Sequence, residues 1–293
     1  MIELFDLIFD SLIDTLKLLP FLFLTYLAME YLEHKANGAP EKVLKRSGQF
    51  GSLIGSALGL IPQCGFSSAA AGLYSAKVVS LGTLVAVFLA TSDEMIPIFI
   101  SHGASLSLVP KVLLIKFIIA AIAGLLVDLI VKLVYKKKGL EQKANIHEIC
   151  ERDQCHCHHD LLKSALVHTG KVSLFILVFS FILNFLVYFV GESNIALLVL
   201  NKPILANILA AIVGIIPNCA SSVIISELYI EGMLSAGALM SGLLINSGIA
   251  LAVLFRTNRP KKNNWLIVLL LFAISVVVGI IIDLSPIAQW LAI

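Results

Sequence analysis

Three groups of side chains in this 293-residue sequence could do chemistry. The densest is His147, Cys150, Cys155, His156, Cys157, His158 and His159, which puts three of the five cysteines and four of the seven histidines within 13 residues. Thiolate plus imidazole is the ligand set of zinc, copper(I) and similar borderline or soft metals. The Cys155-His156-Cys157 spacing is too tight for a zinc finger and reads as a flexible metal-capture tract able to hold zinc or another soft metal. The second group is a matched pair, Pro62-Gln63-Cys64 followed by Ser67 and Ser68, and Pro217-Asn218-Cys219 followed by Ser221 and Ser222. The third is Thr91-Ser92-Asp93-Glu94, whose counterpart Asn246-Ser247-Gly248 has no acids. Cys64, Asp93, Glu94 and Cys219 are the candidate metal ligands of these last two groups. The polar residues around them, Gln63, Ser67, Ser68, Thr91, Ser92, Asn218, Ser221, Ser222, Asn246 and Ser247, complete a candidate transport path.

What makes these residues informative is the surrounding sequence. The chain is 59% hydrophobic and 14% charged, with a mean hydropathy of +0.97, whereas a soluble domain carries roughly a quarter charged residues. Val112 to Val134, Leu166 to Val190 and Trp265 to Ile282 each reach the ~20 apolar residues that a spanning helix needs. In lipid the backbone must satisfy its own hydrogen bonds, and the runs lack the alternation of a barrel strand. The expected fold is therefore an all-α polytopic membrane protein. Carboxylates inside such spans are costly and default to function, which singles out Asp93 and Glu94. Adjacent residues on a helix point about 100° apart, so the two acids need not share one site. Asp128 and Asp283 lie near the ends of their spans and read as interfacial.

The chain also repeats itself. At an offset of 155 residues Gly59–Ser92 aligns without gaps on Gly214–Ser247 with 12 of 34 positions identical, among them the Pro, Cys and Tyr of each block. Each half then holds five apolar segments, 14–33, 50–61, 66–77, 78–101 and 111–135 in the first and 165–190, 203–216, 220–231, 233–255 and 265–283 in the second. The expected domains are a first transmembrane repeat (1–135), a His/Cys-rich cytoplasmic loop (136–164) and a second repeat (165–293). Cations crowd the first, central and last loops (Lys35, Lys42, Lys45, Arg46; Lys136 to Lys163; Arg256 to Lys262). Cationic loops face the cytoplasm, which puts both termini outside and inverts one repeat relative to the other. The segments flanking Pro62 and Pro217 are too short to span, and the residue before proline leaves helical geometry, so broken or re-entrant helices are expected there. The serines just beyond are good N-caps for a returning half-helix. Discontinuous helices at matching positions of two repeats are the usual binding device of secondary transporters. The acidic start predicts no cleavable signal, and the net charge of +2 gives no reason to expect nucleic acid.

The stretches Ile61-Pro62-Gln63-Cys64-Gly65-Phe66-Ser67, Ala90-Thr91-Ser92-Asp93-Glu94 and Ile216-Pro217-Asn218-Cys219, with ten apolar segments and a His-rich central loop, resemble the ten-span heavy-metal exporters. That family is also labelled arsenic-permease-like or manganese transporter. The resemblance implies efflux of a metal or metalloid across the cytoplasmic membrane. The residues allow two readings. Asp93 and Glu94 suit export of a hard divalent cation such as manganese, with protons as the coupling ion; Cys64, Cys219 and the loop suit softer metals or trivalent arsenic. In the alternative, an anion or metalloid permease, cysteines and half-helix N-termini hold the solute. No nucleotide-binding loop and no intramembrane catalytic arrangement is found, so an enzyme is not expected. The partners implied are the bilayer and the transported ion, with no permanently bound cofactor.

Overall fold

Pro217 and the polar breaks after α-helical runs ending at Ala90 and Ile245 divide the apolar sequence into short helices, and the tertiary structure is organised around those divisions. The computed structural model describes residues 50–61, 64–92, 95–101, 107–138, 161–190, 203–259 and 261–291, together with 12, 13, 15, 16, 19, 20, 23, 24 and 27, which are helical. Among the described residues there is no strand. The helices are α1 (Phe50–Gly59), α2 (Cys64–Ser75), α3 (Leu81–Ala90), α4 (Met95–Ser101), α5 (Leu108–Lys138), α6 (Leu161–Val190), α7 (Pro203–Gly214), α8 (Cys219–Ile230), α9 (Ala236–Ile245), α10 (Ala250–Thr257), α11 (Lys261–Leu284) and α12 (Ile287–Trp290). The expected segments from 50 onward are all found. The 14–33 segment lies largely outside the described residues.

The 155-residue offset holds helix by helix, since α2 and α8 have the same bounds once shifted, as do α3 and α9. Their ends are built alike. Ser80 and Ser235 are the N-caps of α3 and α9 and accept from the N–H of Thr83 and Ala238, satisfying donors that a helix start leaves unpaired. α2 and α8 both end in a left-handed residue, Lys77 at φ 57° and Gly232 at φ 73°. Val78 N–H reaches back to Leu73 O and Met233 N–H to Leu228 O, the double-bonded helix stop that glycine normally supplies. In the first half a lysine adopts this conformation in place of glycine.

α3 and α9 are apolar on every side and buried throughout, from Gly82 to Ala90 and from Ala236 to Ile245, as expected for helices enclosed by others. They touch each other, and each packs on the long helix that follows, α3 on α5 and α9 on α11. The close approach depends on glycine: a Cβ on Gly82 would sit 2.2 Å from Gly124 O, and one on Gly237 would sit 2.2 Å from Gly279 O. Small residues at helix crossings are the usual means of tight packing in membranes. α5 and α11 turn their large apolar side chains outward, among them Leu114, Ile118, Leu125 and Leu129 on one and Leu266, Leu269, Val277 and Ile281 on the other. Among the described residues four helical stretches, Leu81–Ile100, Leu108–Val134, Ala236–Thr257 and Lys261–Leu284, are long and apolar enough to cross a membrane.

Asp128 and Asp283, near the ends of their spans, each hold the start of a buried helix. Asp128 is buried at 5% exposure, and its carboxylate accepts from Ser52 Oγ (3.1 Å), Ser80 Oγ (2.9 Å) and Gly82 N–H (2.9 Å). Asp283 accepts from Asn207 Nδ2 (2.7 Å), Ser235 Oγ (2.9 Å) and Gly237 N–H (2.8 Å). Every partner in the second set is the first set shifted by 155. Each aspartate pins three segments together at the N-terminal end of a buried helix, where the helix dipole favours an anion. The small glycines opposite let the neighbouring helix approach each carboxylate this closely.

Candidate functional site

The two halves interlock at their breaks. α2 of the first half packs on α10 of the second, and α8 of the second packs on α4 of the first. These contacts exchange across the repeat, because α4 and α10 are themselves counterparts. The interruptions after α3 and α9 therefore lie against the starts of the returning helices from the opposite half.

The chain leaves helical geometry in the same way at both interruptions. Thr91 (φ −51°, ψ 128°) and Asn246 (φ −72°, ψ 105°) cap α3 and α9, each donating its N–H to the carbonyl four residues back. Around them the expected path residues are brought together in part. Ser67 Oγ on α2 donates to Ser247 O at 3.4 Å, across 180 residues of chain. Asn246 Nδ2 donates to Ser221 Oγ at 3.4 Å, and Gly248 N–H donates to Asn246 Oδ1 at 2.8 Å. Thr91 and Ser92 turn their hydroxyls onto their own helix, to Val87 O and Ala90 O. Ser68 and Ser247 are 1% exposed, and among the described residues their hydroxyls have no hydrogen-bond partner. A buried polar group without a partner is costly, and these two sit at the meeting point of the halves. Ser222 is buried beside Ser221.

The expected serine N-cap is corrected at α8. Asn218 caps that helix from extended backbone (φ −144°, ψ 149°), its side chain accepting from Ala220 N–H. A cap must precede the helix, and Ser221 and Ser222 come after it has begun. Ser221 Oγ folds back onto Asn218 O (2.6 Å) and Ile216 O (3.0 Å), holding the turn around Pro217. Cys64 and Cys219 are the first residues of α2 and α8; their side chains, and Gln63, Asp93 and Glu94, lie outside the described residues. The same is true of His147, Cys150, Cys155, His156, Cys157, His158 and His159 in the central loop. Among the described residues no three His, Cys, Asp or Glu side chains cluster as a metal site.

Sequence reasoning passed over Lys116. It is 0% exposed inside α5, about 12 Å along the axis from the start of that helix at 1.5 Å per residue. Its ammonium donates to the carbonyl of Thr91 at the end of α3 and, at 2.9 Å, to the carbonyl of Leu243 in the last turn of α9. The signal was present as Lys116, one of two lysines within the apolar run Val112 to Val134, where an ionisable residue marks function by default. The repeat hid it, because the counterpart at position 271 is Leu.

The fold and this site together define a multi-pass helical membrane protein with paired broken helices meeting at its centre. The chain belongs to the ArsP_2 family, described as "Putative, 10TM heavy-metal exporter", whose match covers residues 3–190. No curated protein and no solved structure matches it.

Proposed function

We propose that the chain is a secondary transporter that exports a heavy-metal or divalent metal cation from the cytoplasm, through the meeting point of the α3 and α9 breaks. The observation that carries this reading is the cross-half arrangement there. Ser67 reaches Ser247 and Lys116 joins the ends of α3 and α9, both across the halves, while Asn246 reaches Ser221 within the second half. Helix ends and unwound carbonyls from two repeats, near the middle of the bilayer, are the arrangement by which secondary transporters bind ions. Membership of an exporter family supports the direction.

On this reading the two repeats are inverted, both termini lie outside the cytoplasmic membrane, and the His/Cys loop lies inside. Cys64, Cys219, Asp93 and Glu94 ligate the cargo, protons drive the exchange, and the loop captures zinc or a softer metal ahead of the path. The chain acts as a carrier and not as an enzyme. A second reading, a permease for arsenic-type metalloids or anions, is favoured by the buried hydroxyls of Ser68 and Ser247, which have no partner among the described residues and suit a neutral or anionic oxygen-bearing solute.

The test is accumulation of manganese, zinc, cadmium, nickel and arsenite in cells with and without the protein, repeated with Asp93→Asn and Glu94→Gln. Lower accumulation of a divalent metal that either amide variant abolishes supports cation export. Arsenite exclusion that survives both substitutions supports the permease. If no solute changes its accumulation, export is wrong.

A further inference from the structure

We propose that the seam between α8 and α4 is one limb of the solute path, leading from the breaks to the end of the molecule where α11 finishes, and that α12 is the strap that holds this limb shut. The inference rests on the reading of the two breaks as the transport path, but not on the identity of the cargo.

α8 carries its polar groups along one side. At 100° per residue, Asn218, Ser222, Ser226 and Tyr229 fall within an arc of about 80°. All four are buried. They lead from the turn at Pro217 to the far end of the helix, about 16 Å away at 1.5 Å per residue. α4 packs on α8, and the ring of its Phe99 lies 6.4 Å from that of Tyr229. Within this side the Ser226 hydroxyl is fully buried and has no hydrogen-bond partner among the described residues. A stranded hydroxyl costs stability. The first half avoids that cost at the matching position with Ala71, which is equally buried, so packing at this point of the repeat does not require a serine. A hydroxyl that is stranded while the seam is closed gains partners once the seam opens to water or to a solute.

The far end of the seam is tied down by α12. α11 stops at Leu284, and the chain turns through Pro286 into the four residues of α12. Tyr229 Oη donates to Leu291 O at 2.5 Å, and Leu291 is 0% exposed. Lys111, near the start of α5, donates from Nζ to Trp290 O at 2.9 Å and lies 5.3 Å from the centre of the Trp290 ring. α12 thereby joins the end of α8 in the second half to the start of α5 in the first, with Phe99 of α4 against Tyr229. The first half does not repeat this turn. Val131 stands at the position matching Pro286, and α5 runs on as helix to Lys138. A short element held by a few bonds at a helix end is the kind that opens locally without unfolding the rest. Releasing α12 frees α8 to part from α4 while the contacts of α9 with α11 stay in place.

The experiment uses the full-length chain in membrane vesicles and a charged, water-soluble thiol reagent supplied on both sides. Ser226→Cys reports the seam, and Ala71→Cys, at the matching position of α2, is the control. Labelling is measured above that of the parent chain, whose own cysteines set the background. Each reporter is combined with Tyr229→Phe, which removes the bond to Leu291 and keeps the ring against Phe99, and separately with Lys111→Met, which releases Trp290. Ser226→Cys is expected to label slowly with the strap intact and roughly fivefold faster with a strap variant, the change in the open-to-closed ratio when the closed state alone loses one hydrogen bond. Ala71→Cys is expected to label at one rate in every background. The proposal is overturned if neither strap variant speeds labelling of Ser226→Cys, or if Ala71→Cys speeds up to the same extent, which would mean that the whole fold had loosened. The two variants release different bonds, so a folding failure in one leaves the test to the other. Because no metal enters this measurement, failure of metal export in cells leaves an opening seam standing, and unchanged labelling removes the seam while leaving export standing.

Discussion

Gly82→Ala and its counterpart Gly237→Ala put the repeated helix contact to a quantitative test. A Cβ on Gly82 would lie 2.2 Å from Gly124 O and 2.4 Å from the Asp128 carboxyl carbon; one on Gly237 would lie 2.2 Å from Gly279 O and 2.3 Å from the Asp283 carboxyl carbon. The nearest atom in each case is backbone, so no side-chain rotation relieves the clash. Restoring a carbon–oxygen contact of about 3.3 Å requires α3 and α5, or α9 and α11, to part by ~1 Å. That separation stretches the Gly82 N–H bond to Asp128, now 2.9 Å, or the Gly237 bond to Asp283, now 2.8 Å, beyond hydrogen-bonding range. Overpacking costs about 1–3 kcal/mol and the lost bond about 1 kcal/mol, against a gain of about 1 kcal/mol for Ala over Gly within a helix. The net expectation is destabilisation by about 1–3 kcal/mol at each site. Gly170→Ala is the control, because a Cβ there meets nothing within 4 Å; it should be neutral or stabilising by up to about 1 kcal/mol. The assay is unfolding of the three purified variants in detergent. If Gly82→Ala unfolds like Gly170→Ala, the close crossing is wrong. If Gly82→Ala is severe and Gly237→Ala is neutral, the two halves do not share the contact.

Three further expectations follow from the same geometry. Asp128→Asn and Asp283→Asn each replace a carboxylate that accepts three bonds, and should destabilise by about 2–3 kcal/mol and by similar amounts, as read by the same unfolding assay. Ser68→Ala and Ser247→Ala remove buried hydroxyls without partners among the described residues, so stability should hold or rise by about 1 kcal/mol, while export measured as metal accumulation falls; unchanged export would remove both hydroxyls from the path. Deleting 146–160 should leave export in place with an altered metal threshold, and complete loss of export would make the loop part of the path.

Hydropathy and proline are local signals, and they are read well from the sequence. The helices of both halves from residue 50 onward, the interruptions at Pro217 and at 91–92 and 246–247, and the register of the repeat all follow from the composition of short windows. The same windows did not show what Asp128 and Asp283 hold. Distance from the end of a span says nothing about whether a glycine on another helix lets that helix close over the carboxylate. Lys116 was visible as a charge in an apolar run, but the carbonyls it reaches lie 25 and 127 residues away. Ser67 meets Ser247 only because α2 packs on α10 of the opposite half.

From its amino acids alone the chain is bound to the membrane, to helices and to two related halves, because burying ~20-residue apolar runs leaves the backbone no other way to satisfy its hydrogen bonds. Which polar groups meet inside was decided by tertiary packing. In an apolar span a buried donor or acceptor has few possible partners, and only the crossing of helices distant in sequence determines which of them comes within 3 Å.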